Sequence, residues 1–381
     1  MKILLSGGHL TPALAVIDYA QKNFPADTFV FAGRLYSQPS VKQRSWEKEE
    51  VTKRGVKFIS FASPKFEVPV WGLPFLVIKE IWATFTAIQL INAEHPDVYL
   101  SFGGYLAVPL AVAAKLLHIP VVTHEQTRVA GAANQWLGKF ADKIAVSFPE
   151  SAAAFPAAKT VITGNPLREA LQQTRPIAPP WIPSPLPNKP LLYITGGNQG
   201  SQFINVLIQD VLPEIMKSWW VIHQCGNPTN LMHYRKCLEK VKKTLPEDQQ
   251  SQYIIKEWIT EEELNWIYRH ADGVFARSGA NTVFEVMTIG IPAIFIPLAN
   301  ARLDEQRLNA EAMVDAHAAL LLLQKDASPA TLLETLRTFK KKLRSLRRNA
   351  ELLQDTLPAD PVGNLYQLLQ QLVPKQRTLK S

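Results

Sequence analysis

Ala271 to Ala310 reads ADGVFARSGANTVFEVMTIGIPAIFIPLANARLDEQRLNA, in the order strand, small-residue turn, helix, strand and polar loop. Asp272 to Ala276 is a short apolar strand. The Arg277-Ser278-Gly279-Ala280 segment behind it lets the backbone turn sharply and present successive N–H groups at the start of a helix. Such a helix N-terminus attracts phosphate, so the stretch reads as a nucleotide-diphosphate site. Helical residues four apart share a face, which places Glu285 beside Asn281. There its two carboxylate oxygens are able to accept both hydroxyls of a ribose. An acidic residue in an early helical turn also favours the dipole for its own sake, and local sequence leaves both readings open.

The 381 residues exceed one typical domain and point to two, each able to bury its own core. With 19% charged and 47% hydrophobic residues, the chain is globular rather than disordered or coiled-coil. The net charge of +8 and a pI near 9.3 indicate an anionic partner: nucleic acid, an acidic membrane face or a phosphorylated substrate. Cys225 and Cys237 are too few for a disulfide framework and lack the surroundings of a zinc site, which suggests a reducing compartment. MKILLSGGH is too short an apolar run for a signal peptide, so a cytoplasmic chain is expected.

In the first half, strands alternate with helix-period segments, the pattern of a parallel sheet with crossover helices. The expected strands are Lys2–Ser6, Thr28–Ala32, Lys57–Phe61, Val98–Phe102, Pro120–Thr123, Lys143–Ser147 and Thr160–Thr163. Ligands of such sheets bind at the C-terminal ends of strands. Three polar turns fall there: Ser6 to His9, Gly103-Gly104-Tyr105, and His124-Glu125-Gln126-Thr127. His9 is a candidate general base on a hydroxyl, or else a helix-capping or hydrogen-bonded turn histidine.

Residues 66–91 carry Trp71, Leu73, Phe75, Val77, Ile78, Trp82 and Phe85 near Lys65 and Lys79. Pro69, Pro74 and Lys79-Glu80 interrupt the run well before the ~20 apolar residues of a membrane span. It reads as a patch lying in a membrane interface, with Pro-Val-Trp-Gly-Leu-Pro-Phe as an exposed loop; a buried crossover helix is the alternative. The proline-dense Arg175–Pro190 reads as a stiff connector and domain boundary.

Beyond it lie strand Leu191–Thr195, a second glycine turn at Gly196-Gly197, strands Trp219–His223 and Tyr253–Glu257, the opening stretch and strand Ala318–Leu323. Each half is therefore a doubly wound α/β unit. Arg337, Lys340, Lys341, Lys342, Arg344, Arg347 and Arg348 form a basic helix face, either solvated surface or an anionic-lipid contact. Asp360 to Leu372 reads as a last amphipathic helix.

SGGHLTPALA, FGGYLAVPLAVAAKLLHIPVVTHEQ, AGAANQWLGKFADKIAVSFP, GNPLR, GGNQGS, ARSGANTVFE and DEQRLNA, in this order, resemble the peptidoglycan N-acetylglucosaminyltransferases that convert lipid I to lipid II. The resemblance covers nearly the whole chain. It implies two Rossmann-like domains of the GT-B glycosyltransferase type facing across a cleft. Residues 1–174 would hold the acceptor and face the membrane, with helix 351–374 packing back on them; 175–190 would link, and 191–350 would bind the UDP-sugar.

Carried over by position, the resemblance gives the donor Glu285 for the ribose, the Ile259 backbone for uracil, and Arg277, Ser278, Gly279, Ala280 and Thr282 for the diphosphate and sugar. Gln306 would contact the sugar hydroxyls and Asn309 would support that loop. Gly196, Gly197, Asn198 and Gln199 form the second glycine loop, and Arg168 joins the donor side from the hinge. The acceptor side would comprise Gly8, His9, Thr11, Gly103, Gly104, Tyr105, His124, Gln126, Thr127 and Asn134. His9 is the implied base, with Glu125 as the alternative.

Departures from the family pattern are a shortened first glycine loop, Thr127 for asparagine, Asn198 for serine, and Glu305 for Gln or His. The implied reaction is inverting transfer of N-acetylglucosamine from UDP-N-acetylglucosamine to the 4-hydroxyl of the muramoyl sugar of lipid I. It serves cell-wall biogenesis, cell shape and division. No cofactor and no metal are expected. The expected partners are the two substrates, an anionic membrane surface on the cytoplasmic side and cell-wall synthesis proteins, with no nucleic acid. A related UDP-sugar transferase with another acceptor, or a non-catalytic nucleotide-sugar sensor, are the competing functions.

Overall fold

The computed structural model describes every residue except 39–40, 45, 64–72, 198–199, 227–232 and 374–381; at 36–38, 41–44, 46, 73–76 and 172 it describes backbone alone. The elements run β1 (Lys2–Gly7), α1 (Leu10–Asn23), β2 (Thr28–Gly33), β3 (Tyr36–Gln38), β4 (Val41–Arg44), α2 (Trp46–Lys53), β5 (Lys57–Ser60), α3 (Leu73–Glu94), β6 (Val98–Phe102), α4 (Ala107–Leu116), β7 (Val121–Glu125), α5 (Ala132–Leu137), β8 (Lys143–Val146), α6 (Pro149–Ala152) and β9 (Thr160–Ile162). There follow β10 (Leu191–Thr195), α7 (Gln202–Met216), β11 (Trp220–Gln224), α8 (Tyr234–Lys242), α9 (Glu247–Gln250), β12 (Tyr253–Lys256), α10 (Glu261–His270), β13 (Gly273–Ala276), α11 (Ala280–Ile289), β14 (Ala293–Phe295), α12 (Glu305–Asp315), β15 (Ala319–Leu321), α13 (Pro329–Gln354) and α14 (Pro361–Leu372). The chain divides into unit 1, Met1–Glu169 with Pro358–Ser381, and unit 2, Ala170–Leu357.

Unit 1 holds a parallel sheet in the order β5-β2-β1-β6-β7-β8-β9. Successive residues of a strand face opposite sides, so Ile3 and Leu5 enter one core while Leu4 enters the other. The first core is covered by Val16, Ile17 and Ala20 of α1 and by Val362, Leu365 and Leu369 of α14. The second is covered by Ala83, Ala87 and Ile91 of α3 and Leu110 and Ala114 of α4. Apolar runs such as Val98–Phe102 are strands because both faces are buried, each large side chain contributing roughly 1.5–3 kcal/mol. Helix α14 starts where Asp360 accepts the Gly363 N–H at 2.9 Å, and its Tyr366 stacks on Phe24 with ring centroids 4.8 Å apart.

Unit 2 repeats the scheme with the order β12-β11-β10-β13-β14-β15. Leu192, Ile194 and Val221 pack against Ile204, Ile208 and Val211 of α7 and against Leu332, Leu336, Phe339 and Leu346 of α13. Those inward positions explain the basic run in α13: Arg337, Lys340, Lys341, Lys342, Arg344 and Arg348 are among its exposed positions. Residues 175–190 belong to unit 2, where the Trp181 indole donates to Glu263 and Lys256 lies 4.4 Å from the Trp181 ring centroid.

The structure adds the antiparallel β3–β4 pair and α2, which lie between two of the expected strands. Leu73-Pro74-Phe75, expected in an exposed loop, forms the first turn of α3, where a proline lacks no hydrogen bond that the helix needs. Trp71 and Lys65 lie outside the described residues. His124 and Glu125, expected in a turn, are the last residues of β7, because β8 extends the pairing through His124↔Ala145 and Glu125↔Val146.

Candidate active site

In each sheet the strand order reverses once, between β1 and β6 in unit 1 and between β10 and β13 in unit 2. Crevices beyond the C-terminal ends of strands at such reversals are where parallel α/β sheets bind ligands. The glycine turns of the sequence fall at these two places.

In unit 1, the Gly8 N–H donates to the Gly103 carbonyl at 3.3 Å. Gly104 has φ +79°, and a Cβ there would stand 3.2 Å from the Gly8 nitrogen, so the two turns touch as only glycine allows. His9 occupies the N-cap of α1 but makes no side-chain capping bond. The residue keeps exposed surface, yet desolvation by the surrounding protein lowers its pKa below 6.5, outweighing the upward pull of Glu125. The imidazole is therefore neutral at pH 7 and able to accept a proton.

Glu125 is differently placed. Its Oε1 accepts from the Thr127 N–H at 3.0 Å and the Thr127 hydroxyl at 2.7 Å; Oε2 accepts from the Gly131 N–H at 2.8 Å and Asn134 Nδ2 at 2.9 Å. Four donors thus hold the carboxylate as the organiser of the loop after β7. His124 is wholly buried, bonds the Gly164 carbonyl through Nε2 at 3.1 Å and has its pKa pushed down to about 4 by burial. It is a neutral structural ring. The Gln126 amide is 1% exposed with neither Nε2 nor Oε1 hydrogen-bonded. Tyr105 lies under Arg34, whose guanidinium carbon is 5.7 Å from the ring centroid. Thr11 is half-buried in the first turn of α1, and Arg168 is buried in unit 1.

In unit 2, a Cβ on Gly196 would stand 2.2 Å from the Ser201 nitrogen, so only glycine lets that turn close; Asn198 and Gln199 lie outside the described residues. Ser201 caps α7 and its hydroxyl accepts from Arg277 Nε at 3.2 Å. Arg277 also donates through Nη1 to the carbonyls of Ile296 and Pro297, each at 3.0 Å. Burial lowers this guanidinium's pKa to about 10, which still leaves it charged. It is a buried cation bound to neutral acceptors, a strong attraction for phosphate.

Gly279 is the N-cap of α11, Ala280 its first residue, and Thr282 is half-buried beside them. The Ser278 hydroxyl is buried without a hydrogen-bond partner, and the Ser278 carbonyl accepts from Asn309 Nδ2 at 3.4 Å. Glu285 is 4% exposed and its Oε2 accepts from the Tyr268 hydroxyl at 3.0 Å. Gln306 turns its Oε1 onto the Leu298 N–H at 3.0 Å, at the start of α12. Ile259 is buried directly before the Thr260–Glu263 capping box that opens α10.

Family models for the glycosyltransferase family 28 N-terminal domain and C-terminal domain match residues 6–146 and 191–356. The chain belongs to glycosyltransferase family 28. Among curated relatives, it is 31% identical over 95% of each chain to the UDP-N-acetylglucosamine--N-acetylmuramyl-(pentapeptide) pyrophosphoryl-undecaprenol N-acetylglucosamine transferase of Clostridium perfringens (strain SM101 / Type A). It is 30% identical to the second such transferase of Bacillus thuringiensis (strain Al Hakam), covering 98% of this chain and 100% of that one. The crystal structure of MurG from Acinetobacter baumannii superposes with a TM-score of 0.70 at 25% identity, covering 97% of this chain and 99% of that one.

Among the described residues of this family 28 chain, Tyr268 and Arg34 touch candidate site residues and were left out by sequence reading. Each sits in an ordinary helical or strand-end context, so its partner is visible only when the fold brings α10 to α11, or β2 to the turn after β6.

Proposed function

We propose that the chain transfers N-acetylglucosamine from UDP-N-acetylglucosamine to the 4-hydroxyl of the muramoyl sugar of lipid I, with inversion, yielding lipid II. The observation that carries the donor half is Arg277, a buried guanidinium at the turn that opens α11, which has no carboxylate partner among the described residues and donates to a hydroxyl and two carbonyls. Glu285 then takes the ribose hydroxyls, Ile259 the uracil, and Ser278 to Thr282 with Gln306 and Asn309 the diphosphate and sugar. Unit 1 takes the acceptor, through Gly8, His9, Thr11, Gly104, Tyr105, Gln126, Thr127 and Asn134.

The acceptor 4-oxygen forms its bond to the anomeric carbon as the bond from that carbon to the diphosphate oxygen breaks. The hydroxyl proton passes to the His9 imidazole, and UDP leaves with the electron pair. His9 is preferred over Glu125 because the latter's oxygens already accept four hydrogen bonds. Arg277 and the N–H groups at the start of α11 stabilise the charge developing on the leaving diphosphate.

We also propose that the enzyme works peripherally on the cytoplasmic face of the membrane. Val77, Ile78, Ile81, Trp82 and Phe85 lie one helical face apart on α3 and are 53–67% exposed. Lys79 is exposed beside them. Such a face suits shallow insertion at the headgroup boundary, and no helix among the described residues is long and apolar enough to cross.

Release of UDP with lipid I tests the reading. Turnover with lipid I supports it, turnover only with another acceptor moves the chain to a related transferase, and UDP-sugar binding without turnover makes it a sensor.

A further inference from the structure

A basic cavity of about 490 Å³ lies in unit 2 at the N-terminal end of β13, walled by residues 174–176, the end of α10, Ile289 and Ile291, and Arg347 of α13. The diphosphate turn follows the other end of the same strand, so Gly273–Ala276, roughly 13 Å of extended chain, separates the two.

Arg175, Arg269, His270 and Arg347 line the cavity and no carboxylate side chain does. Arg269 donates to neutral acceptors, Asn265 Oδ1 at 3.0 Å and the Leu171 carbonyl at 3.2 Å, and burial alone lowers its pKa. Arg347 donates to the Ala271 carbonyl at 2.8 Å; its nearest carboxylate, Asp272, is 3.9 Å away and also holds the Leu191 N–H at 2.8 Å. Arg175 is exposed with no ion-pair partner among the described residues. The His270 ring is fixed, stacked on Trp266 at 4.1 Å between centroids with Nδ1 on the Trp266 carbonyl at 2.8 Å.

Capping the carbonyl ends of helices accounts for Arg269 and Arg347 in part, since cations favour helix C-termini. It does not account for Arg175 or for the convergence of three guanidiniums on one hollow, where like charges repel until an anion enters. Guanidinium groups match phosphate oxygens in a planar, two-pronged geometry, and the volume is that of a small-molecule pocket. We propose that this cavity is a second phosphate site, taking a ligand with one or two phosphate groups, separate from the donor diphosphate site.

The test is calorimetry of the full chain saturated with UDP, which occupies the donor site, titrated with inorganic pyrophosphate. A parallel arm measures binding to phosphatidylcholine vesicles with and without phosphatidate. Arg175→Glu, at an exposed position, and Arg269→Gln are compared with the parent, with unchanged UDP affinity as the check on folding. The expected result is one pyrophosphate per UDP-loaded chain, weakened at least tenfold by Arg175→Glu. Phosphatidate-dependent vesicle binding lost in Arg175→Glu, without pyrophosphate binding, assigns the same site to a lipid phosphate. Absence of both, or binding indifferent to both substitutions, overturns the proposal.

Discussion

The Tyr268 hydroxyl donates to Glu285 Oε2 at 3.0 Å, across α10 and α11, with both side chains nearly buried. Tyr268 is itself held edge-on by the Tyr193 ring at 5.7 Å and 82°. The Tyr193 and Thr195 hydroxyls both donate to Gln224 Oε1, at 2.6 and 3.3 Å, and Thr195 Oγ1 accepts the Gly197 N–H at 3.0 Å. A continuous set of contacts thus runs from the candidate ribose carboxylate to the second glycine turn. Removing only the hydroxyl, in Tyr268→Phe, should weaken UDP binding roughly tenfold, about 1.4 kcal/mol, because a carboxylate with one fewer donor is less well oriented. Affinity for 2′-deoxy-UDP should change less. Equal losses for the two nucleotides would reduce Tyr268 to a packing role.

Glu285→Ala should weaken UDP by about 1.5–3 kcal/mol, the worth of hydrogen bonds to a charged group. Calorimetry on the folded variant decides it, and an unchanged affinity takes Glu285 out of the donor site.

His9→Ala should lower turnover on the order of 10²–10⁴ while leaving UDP affinity nearly intact, since a general base acts in the transition state. The base works in its neutral form and its pKa lies below 6.5. Turnover should therefore be level near pH 7 and fall only as pH drops through that lowered value. A pH profile that declines already above pH 7 would contradict the assignment.

Acid should destabilise both units through buried histidines. His124 and His223 have folded pKa values of about 4 and about 3, both lowered by burial from 6.5. Between these values and 6.5 the unfolded chain binds more protons than the folded one, so stability is full above pH 6.5 and lost as pH falls. The slope is at most about 1.4 kcal/mol per pH unit for each histidine. Denaturant titrations from pH 7 to pH 4 should show this decline, and His223→Gln should flatten its share if the Tyr253 and Asn205 contacts are kept.

Trp82→Ser with Ile81→Ser should reduce binding to anionic vesicles and leave transfer to a short-chain soluble acceptor intact. Both side chains are well exposed, at 67% and 64%, so the fold loses little packing. Vesicle binding that survives the double substitution would move the anchor to another surface.

Sequence alone determined the two parallel sheets, because their signals are local. Strands buried on both faces read as apolar runs, and tight βα turns demand glycine, so Gly7-Gly8, Gly103-Gly104 and Gly196-Gly197 mark strand ends without reference to anything distant. The strand, turn and helix of the candidate donor segment were legible for the same reason: Arg277 to Glu285 is one continuous segment. What only tertiary structure decided are convergences of residues far apart in the chain. Glu125 reads as a free acid until Gly131 and Asn134 fold over it, and His9 reads as a cap until its ring is found outside the capping bond. The Tyr268 hydroxyl reaches Glu285 seventeen residues on, and the basic cavity gathers Arg175, Arg269 and Arg347. Spacing along the chain carries no record of such meetings, because they depend on how helices dock on the sheet rather than on the period of any one element.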